Sequence, residues 1–319
     1  MKKTIACAIA MAMLFSCVVV NAAFTEGGKP SVVVTIFPIY DWVREIAGDA
    51  VDMTLLLDSG VDLHSYQPTA QDILKVASCD LFIHVGGESD EWVEGVLQQS
   101  VNPDQRVINL MEALGDAVRE EETVEGMEAE DVEEAEEDEV EYDEHVWLSL
   151  KNAEKLVEVI GDTLKDVDPG KAETFTVNAA DYEAKLSALD ARFAAAVEAG
   201  TFDTLLFGDR FPFRYLVDDY GLSYYAAFSG CSAESEASFE TVAFLAGKVD
   251  ELGLPAVMTI EGSNNRIAET IVQNTTEKNQ RILTLDSLQS TTMKDAEAGK
   301  TYLGAMENNL AVLTEALNQ

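Results

Sequence analysis

Positive charge is scarce in this chain: 21 Lys and Arg stand against 59 Asp and Glu, a formal net charge of −38. Nucleic acid and anionic bilayers are both held through clustered Lys and Arg, so this balance argues against either as a partner. Cysteine is nearly absent. Of the four present, Cys7 and Cys17 lie in an apolar leader, leaving Cys79 in a core-like stretch and Cys231 in a polar loop. A disulfide between them is permitted in an oxidising compartment, but no spacing pairs them, and no CxxC exists to make a zinc ribbon or a thioredoxin-like motif. HExxH, GxSxG, a P-loop and a strand-linked GxGxxG are all missing, and no histidine is coupled in sequence to Cys231 as a base. An enzyme is not expected.

Apolar runs long enough to cross a bilayer are also lacking. The leader comes nearest: Lys2 and Lys3 precede an apolar stretch over 4–20, and Val20-Asn21-Ala22 supplies small residues for cleavage, which reads as a signal peptide over 1–23. Leu14-Phe15-Ser16-Cys17 reads alternatively as a lipobox, with a lipid anchor at Cys17. Both place the chain outside the cytoplasm, in the periplasm or on the outer face of the cell membrane.

What is present is a repeated alternation of β-branched runs with helical periodicity. Strands are expected over 31–36 (SVVVTI), 51–57, 80–85 and 106–110, and again over 204–208, 223–228, 256–261 and 280–285. Helical patterns lie between them, indicating open, mostly parallel sheets. Between the two sets runs the longest helical pattern, opened by Pro169 and closed by Gly200, with Phe175, Ala179, Tyr182, Leu186, Leu189, Phe193 and Val197 at three- and four-residue steps. About thirty residues at 1.5 Å each span roughly 45 Å, enough for a rigid spine between two lobes. The expected organisation is an N-terminal α/β lobe over 24–165, a linking helix over 168–200 and a C-terminal α/β lobe over 201–319.

The first half carries an acidic, low-complexity run over 119–144, whose self-repulsion predicts a disordered loop that collects cations weakly. It ends at DEHVWLSLKN, which holds His145, one of only three histidines. His64 lies in a similar loop, DLHSYQPTAQD. Both sit where open α/β sheets place ligands, and both are flanked by carboxylates, so each reads equally as a metal ligand or as a capping or surface histidine. His84, in FIHVGG, reads as a buried neutral histidine bonded to backbone. Asp286 (LTLDSL), Asp209 (FGDRFPF) and Glu261 (TIEGSNN) end strands of the second half, where each is a ligand candidate or a helix cap.

These motifs, in order from about Lys29 to the C-terminus and joined by CDLFIHVGGESDEWVE and TYLGAMENNLAVL, resemble the zinc/manganese-type solute-binding proteins of ABC transporters, the zinc-binding members in particular. The resemblance implies a fold of the metal-receptor, periplasmic-binding-protein-like type, with one metal ion between two lobes and delivery to a membrane permease driven by a cytoplasmic ATPase. It implies a monomer, with His64 and His145 as ligands from the first lobe and Asp286 as the carboxylate of the second. At the position of the remaining ligand stands Arg210, which cannot coordinate a metal. Asp209 is the neighbouring substitute, with Cys231 and Glu234 as further alternatives. Two imidazoles with a carboxylate suit zinc better than manganese. The Arg210 departure leaves a second reading, a surface adhesin or interaction protein with the same fold and a weakened metal site.

Overall fold

The structure is a computed structural model and describes residues 28–60, 63–128, 141–230 and 236–318. The leader, Cys231 and Glu234 lie outside these residues. The first lobe runs β1 (Ser31–Val34), α1 (Phe37–Ala47), β2 (Asp52–Leu55), α2 (Ala70–Ser78), β3 (Leu81–His84), α3 (Trp92–Leu97), β4 (Arg106–Asn109), α4 (Leu110–Leu114) and α5 (Leu150–Val167). The spine α6 (Ala172–Glu198) follows. The second lobe runs β5 (Thr204–Phe211), α7 (Arg214–Tyr220), β6 (Ser223–Ser229), α8 (Phe239–Leu252), β7 (Ala256–Ile260), α9 (Arg266–Asn274), β8 (Arg281–Leu285), α10 (Met293–Glu297) and α11 (Tyr302–Ala316).

Each lobe holds one four-stranded sheet, ordered β2-β1-β3-β4 in the first and β6-β5-β7-β8 in the second. Every pairing in both is parallel. The cause is visible in the residues: β3 (LFIH) and β7 (AVMTI) are buried along their whole length, as strands covered on both faces must be. The two halves are thus one plan used twice, and the carboxyl ends of their strands form the natural ligand edge.

A 27-residue α6 is about 40 Å long. It buries Phe175, Ala179, Tyr182, Leu186, Leu189 and Phe193 against α1, α5 and α11. One continuous apolar core therefore passes from the first lobe through α6 into the second, and a smaller one lies between the second sheet and α8 and α9. A polar clamp joins the lobes beside the spine. Trp147 Nε1 donates to Ser287 O at 2.9 Å, and Tyr302 Oη donates to Trp147 O at 2.7 Å. Tyr302 N donates to Asp41 Oδ2 at 2.7 Å. Burial lifts the Asp41 carboxyl to about 6, against the opposing pull of that N–H and of Arg44.

Four expectations need correction. The strand expected over 204–208 continues to Phe211, because an irregularity between Phe207 and Arg210 lets Arg210 and Phe211 pair with Phe228 and Ser229. Asp209 therefore lies inside β5 and does not terminate it. His84 is bonded to a side chain, not to backbone: Nδ1 meets Asp90 Oδ2 at 3.2 Å. The short α4 and α10 were not expected, since five residues each give too little periodicity to read.

The fourth correction concerns the acidic run. Its central residues 129–140 lie outside the described residues, but both of its ends are placed against the fold. Glu120 bridges antiparallel to Tyr142, and Glu128 bridges β6 at Phe228, with Glu128 N donating to Ala227 O at 2.9 Å. Arg214 pairs with Glu122, Met127 is buried, and Gly126, at φ +82°, lies so close to the Phe244 ring that a Cβ there would overlap it. Cations and apolar contacts supplied by the second lobe offset the repulsion that composition alone suggested. Cys79 is a free, buried thiol, which burial pushes up to about 11.

The clamp generates a stability prediction. Tyr302→Phe removes the only hydroxyl in this chain of bonds and leaves Trp147 O without its donor. Chemical denaturation should show a loss of about 1–2 kcal/mol with an unchanged denaturant slope.

Candidate metal centre

The two predicted histidines meet. His64 sits in a single 3₁₀ turn (Leu63–Ser65) between β2 and α2, and the following chain is fixed by a complete Thr69–Asp72 capping box at the start of α2. His145 precedes another such turn (Val146–Leu148), after which Ser149 caps α5 by accepting from Asn152 N. Their Nε2 atoms are 3.3 Å apart. Two nitrogens each about 2.0–2.1 Å from a tetrahedral zinc lie roughly 3.3–3.4 Å from one another, so this spacing is the edge of a zinc tetrahedron.

The far side of each ring explains why the Nε2 atoms face inward. His145 Nδ1 lies 3.0 Å from Asp143 Oδ1, which also accepts from His145 N at 2.8 Å. A carboxylate can only accept, so Nδ1 carries the proton and Nε2 presents a lone pair. His64 Nδ1 lies 2.9 Å from Ser89 Oγ and 3.7 Å from Glu144 Oε2. Glu144 Oε1 accepts from Ser89 N at 2.9 Å, and its side chain lies where a Cβ on Gly87 would stand, at φ +77°. The Ser89 hydroxyl can donate or accept, so His64 Nε2 either donates to His145 Nε2 or, with Nδ1 protonated, presents a second lone pair that a cation would draw in. That arrangement suits a bound metal.

Burial sharpens the electrostatics. His145 is wholly enclosed, and Asp143 and Glu144 are 3% and 2% exposed. Burial alone would lower the His145 pKa, but the carboxylates of Asp143, Glu144 and Glu121 together hold it above the ordinary value. Glu144 is pushed up by burial, with its Ser89 bonds opposing. Asp143 and Glu144 were visible in sequence only as the tail of an acidic run. Their adjacency to His145 in DEH was the available signal.

The second lobe closes over this pair. A Cβ built on Gly230 would lie 3.0 Å from His145 Cε1 and 2.9 Å from Phe211 O, so glycine lets the chain just after β6 approach the ring. Tyr215 Oη, on α7, donates to Asp143 O at 2.6 Å. Between the lobes lies a cavity of about 410 Å³ whose lining includes Ser65, Asp209, Arg210, Glu261, Ser287 and Gln289. Gln289 is 5% exposed, and neither of its amide atoms has a hydrogen-bond partner among the described residues.

The carboxylates of the second lobe are engaged elsewhere. Asp286 Oδ2 pairs with Lys300 Nζ at 2.7 Å, and Oδ1 accepts from Leu288 N at 2.9 Å. Asp209 Oδ1 accepts from Arg210 N at 2.9 Å and Oδ2 from Ile260 N at 3.4 Å, which ties the irregular step of β5 to β7. Glu261 accepts from Ser287 N and Oγ at 2.6 and 2.7 Å, and its carboxyl is raised by burial and then by the nearby Asp286. Among the described residues no group of three His, Cys, Asp or Glu side chains comes together around a metal position. The structure therefore unites His64 with His145 and leaves Asp286 and Asp209 outside that pair.

Known proteins share this two-lobed architecture. The family model described as "ZnuA: Zinc-uptake complex component A periplasmic" matches residues 32–316. The zinc-binding lipoprotein AdcA of Streptococcus pneumoniae is 32% identical over 295 residues, covering 92% of this chain and 56% of that protein. This chain thus spans about half the length of that curated relative. The high-affinity zinc uptake system protein ZnuA of Bacillus subtilis is 27% identical over 312 residues, with 93% and 90% covered. Among solved structures, the Zn(II)-bound ZnuA-like domain of S. pneumoniae AdcA superposes with a TM-score of 0.72 at 30% identity, over 92% of this chain and all of that one. Two parallel-sheet lobes, a spine helix and an anchored pair of imidazoles are carried on a chain that belongs to the ZnuA family.

Proposed function

We propose that this protein is an extracytoplasmic, high-affinity zinc receptor that delivers the ion to the permease of an ABC-type importer. One observation carries the reading: the facing Nε2 atoms of His64 and His145, 3.3 Å apart, with both Nδ1 atoms held from behind. Zinc accepts two imidazoles readily, whereas manganese prefers an oxygen-rich set, so zinc is the cargo. Asp286 is the carboxylate the second lobe would bring to the ion, and Asp209, on the wall of the interlobe cavity that Ser65 also lines, is the other candidate. The names of the relatives, a periplasmic uptake component and a lipoprotein, support a location outside the cytoplasm. Removal of the leader, by ordinary cleavage over 1–23 or with a lipid anchor at Cys17, and a monomeric state complete the reading.

No acid–base or nucleophilic constellation is needed for this task. The chain must bind, enclose and release. His64 and His145 supply neutral nitrogen, Asp143 and Glu144 orient them, and the interlobe contacts at Gly230 and Tyr215 shield the ion from water.

Zinc titration of the purified protein should give one tight equivalent. His64→Ala and His145→Ala should each weaken it by at least about a hundredfold, and Asp143→Asn, which disturbs only the ring behind the ligand atom, by about 10–100-fold. Protons compete for the same nitrogen. Because the His145 pKa lies above its ordinary value, affinity should fall as the pH drops from about 8 to about 6. In Asp143→Asn that fall should begin at lower pH, since its acidic partner is gone. Equal zinc affinity in the wild type and both alanine variants would refute the proposal.

A further inference from the structure

Asp286 is the residue through which the second lobe would reach the ion, yet its position is set by groups unrelated to the histidines. Its backbone is fixed on both sides: Asp286 N donates to Asn309 Oδ1 and Asn309 Nδ2 donates to Asp286 O, each at 2.8 Å. Its carboxylate is occupied at both oxygens, by Leu288 N and by Lys300 Nζ. Leu288 is buried in a left-handed backbone conformation at φ +64°, which costs a non-glycine residue energy and implies that the surrounding turn is firmly determined.

Lys300 is equally constrained at its root. It follows Gly299, at φ +99°, in the short turn between α10 and α11. Its N–H donates to Asp295 O at 2.9 Å, and the next residue, Thr301, caps α11 by accepting from Gly304 N. The Lys300 side chain is 29% exposed, so its stem can swing to water while its Cα stays fixed.

We infer that Lys300 is an internal competitor for the metal: its ammonium pairs with Asp286, gives way when zinc takes that carboxylate, and returns to help expel the ion. This rests on the zinc-receptor reading and goes beyond it. The chemistry is a cation exchange. The ammonium lies 2.7 Å from Oδ2 and an N–H holds Oδ1, so a divalent ion drawn to this carboxylate meets the Lys300 charge at contact distance and the two cations compete for it. The exchange keeps the site from accumulating negative charge when empty, since Glu261 lies close enough to Asp286 to feel its charge. It also trades affinity for release, which a receptor that must surrender its cargo requires.

The test is zinc affinity and dissociation rate, by competition with a chromogenic chelator and stopped-flow release, on the full chain. Lys300→Gln should tighten binding by about three- to fivefold, expressed mainly as slower release, because the pair is partly exposed and ion pairs of that kind are modest. Lys300→Arg should stay near wild type. Lys294→Gln, which removes the same charge from an exposed position on α10, should not reproduce the gain. In an Asp286→Asn background, Lys300→Gln should have no effect. Melting of each metal-free variant checks that the fold is intact. Unchanged or weaker binding in Lys300→Gln would overturn the inference, as would an equal gain from Lys294→Gln or a gain that survives in Asp286→Asn. A wild-type protein that takes up no zinc would instead overturn the receptor reading itself, and the inference with it.

Discussion

Two imidazole nitrogens held face to face are the constraint around which this molecule is arranged. A single proton or a cation can hold the two nitrogens together at this spacing. The rings stay because each is bonded from behind, His145 by Asp143 and His64 by Ser89 with Glu144 beyond it. Those carboxylates are buried, and N–H groups and a ring nitrogen bond one oxygen of each, which offsets part of the cost of burying them. Glu144 Oε2 is buried with no hydrogen-bond partner among the described residues, and it lies on the His64 side, 3.7 Å from Nδ1. A divalent cation between the rings would draw on the whole of this acidic shell.

The two-lobed frame makes that arrangement durable. The loops carrying the histidines sit at the carboxyl ends of parallel strands, and the second lobe reaches them through Gly230, Tyr215 and the Trp147–Ser287–Tyr302 clamp. A core continuous through α6 resists independent hinge motion of the lobes. Local change is then left to side chains and short turns, and the Asp286–Lys300 pair is of that scale. Cation exchange at one carboxylate needs no rotation of a lobe.

How much of this was readable in the residues depended on where the decisive contacts lie in the chain. Parallel strands buried on both faces spell themselves as β-branched runs, so β1 and β7 and the spine helix were legible. The histidine pair was legible as two candidate loops, but their meeting across 81 positions was not a property of either loop. Asp143 and Glu144 were hidden because composition counts them with the acidic run, while folding withdraws them from it. The placed ends of that run depend on Arg214 and Phe244, which belong to the other lobe. The continuation of β5 through Asp209 and Arg210 was illegible because polar residues there take the place of the expected apolar pattern. Nothing local marked Lys300 as the partner of Asp286.

The most direct test of the central claim is the position of zinc in the loaded protein, determined from anomalous scattering in a crystal and from X-ray absorption at the zinc edge. The account predicts one ion bound to Nε2 of both His64 and His145 at about 2.0–2.1 Å, with the two nitrogens keeping close to their 3.3 Å separation. Zinc held by only one of these imidazoles, or by an all-oxygen shell on the acidic run, would contradict it.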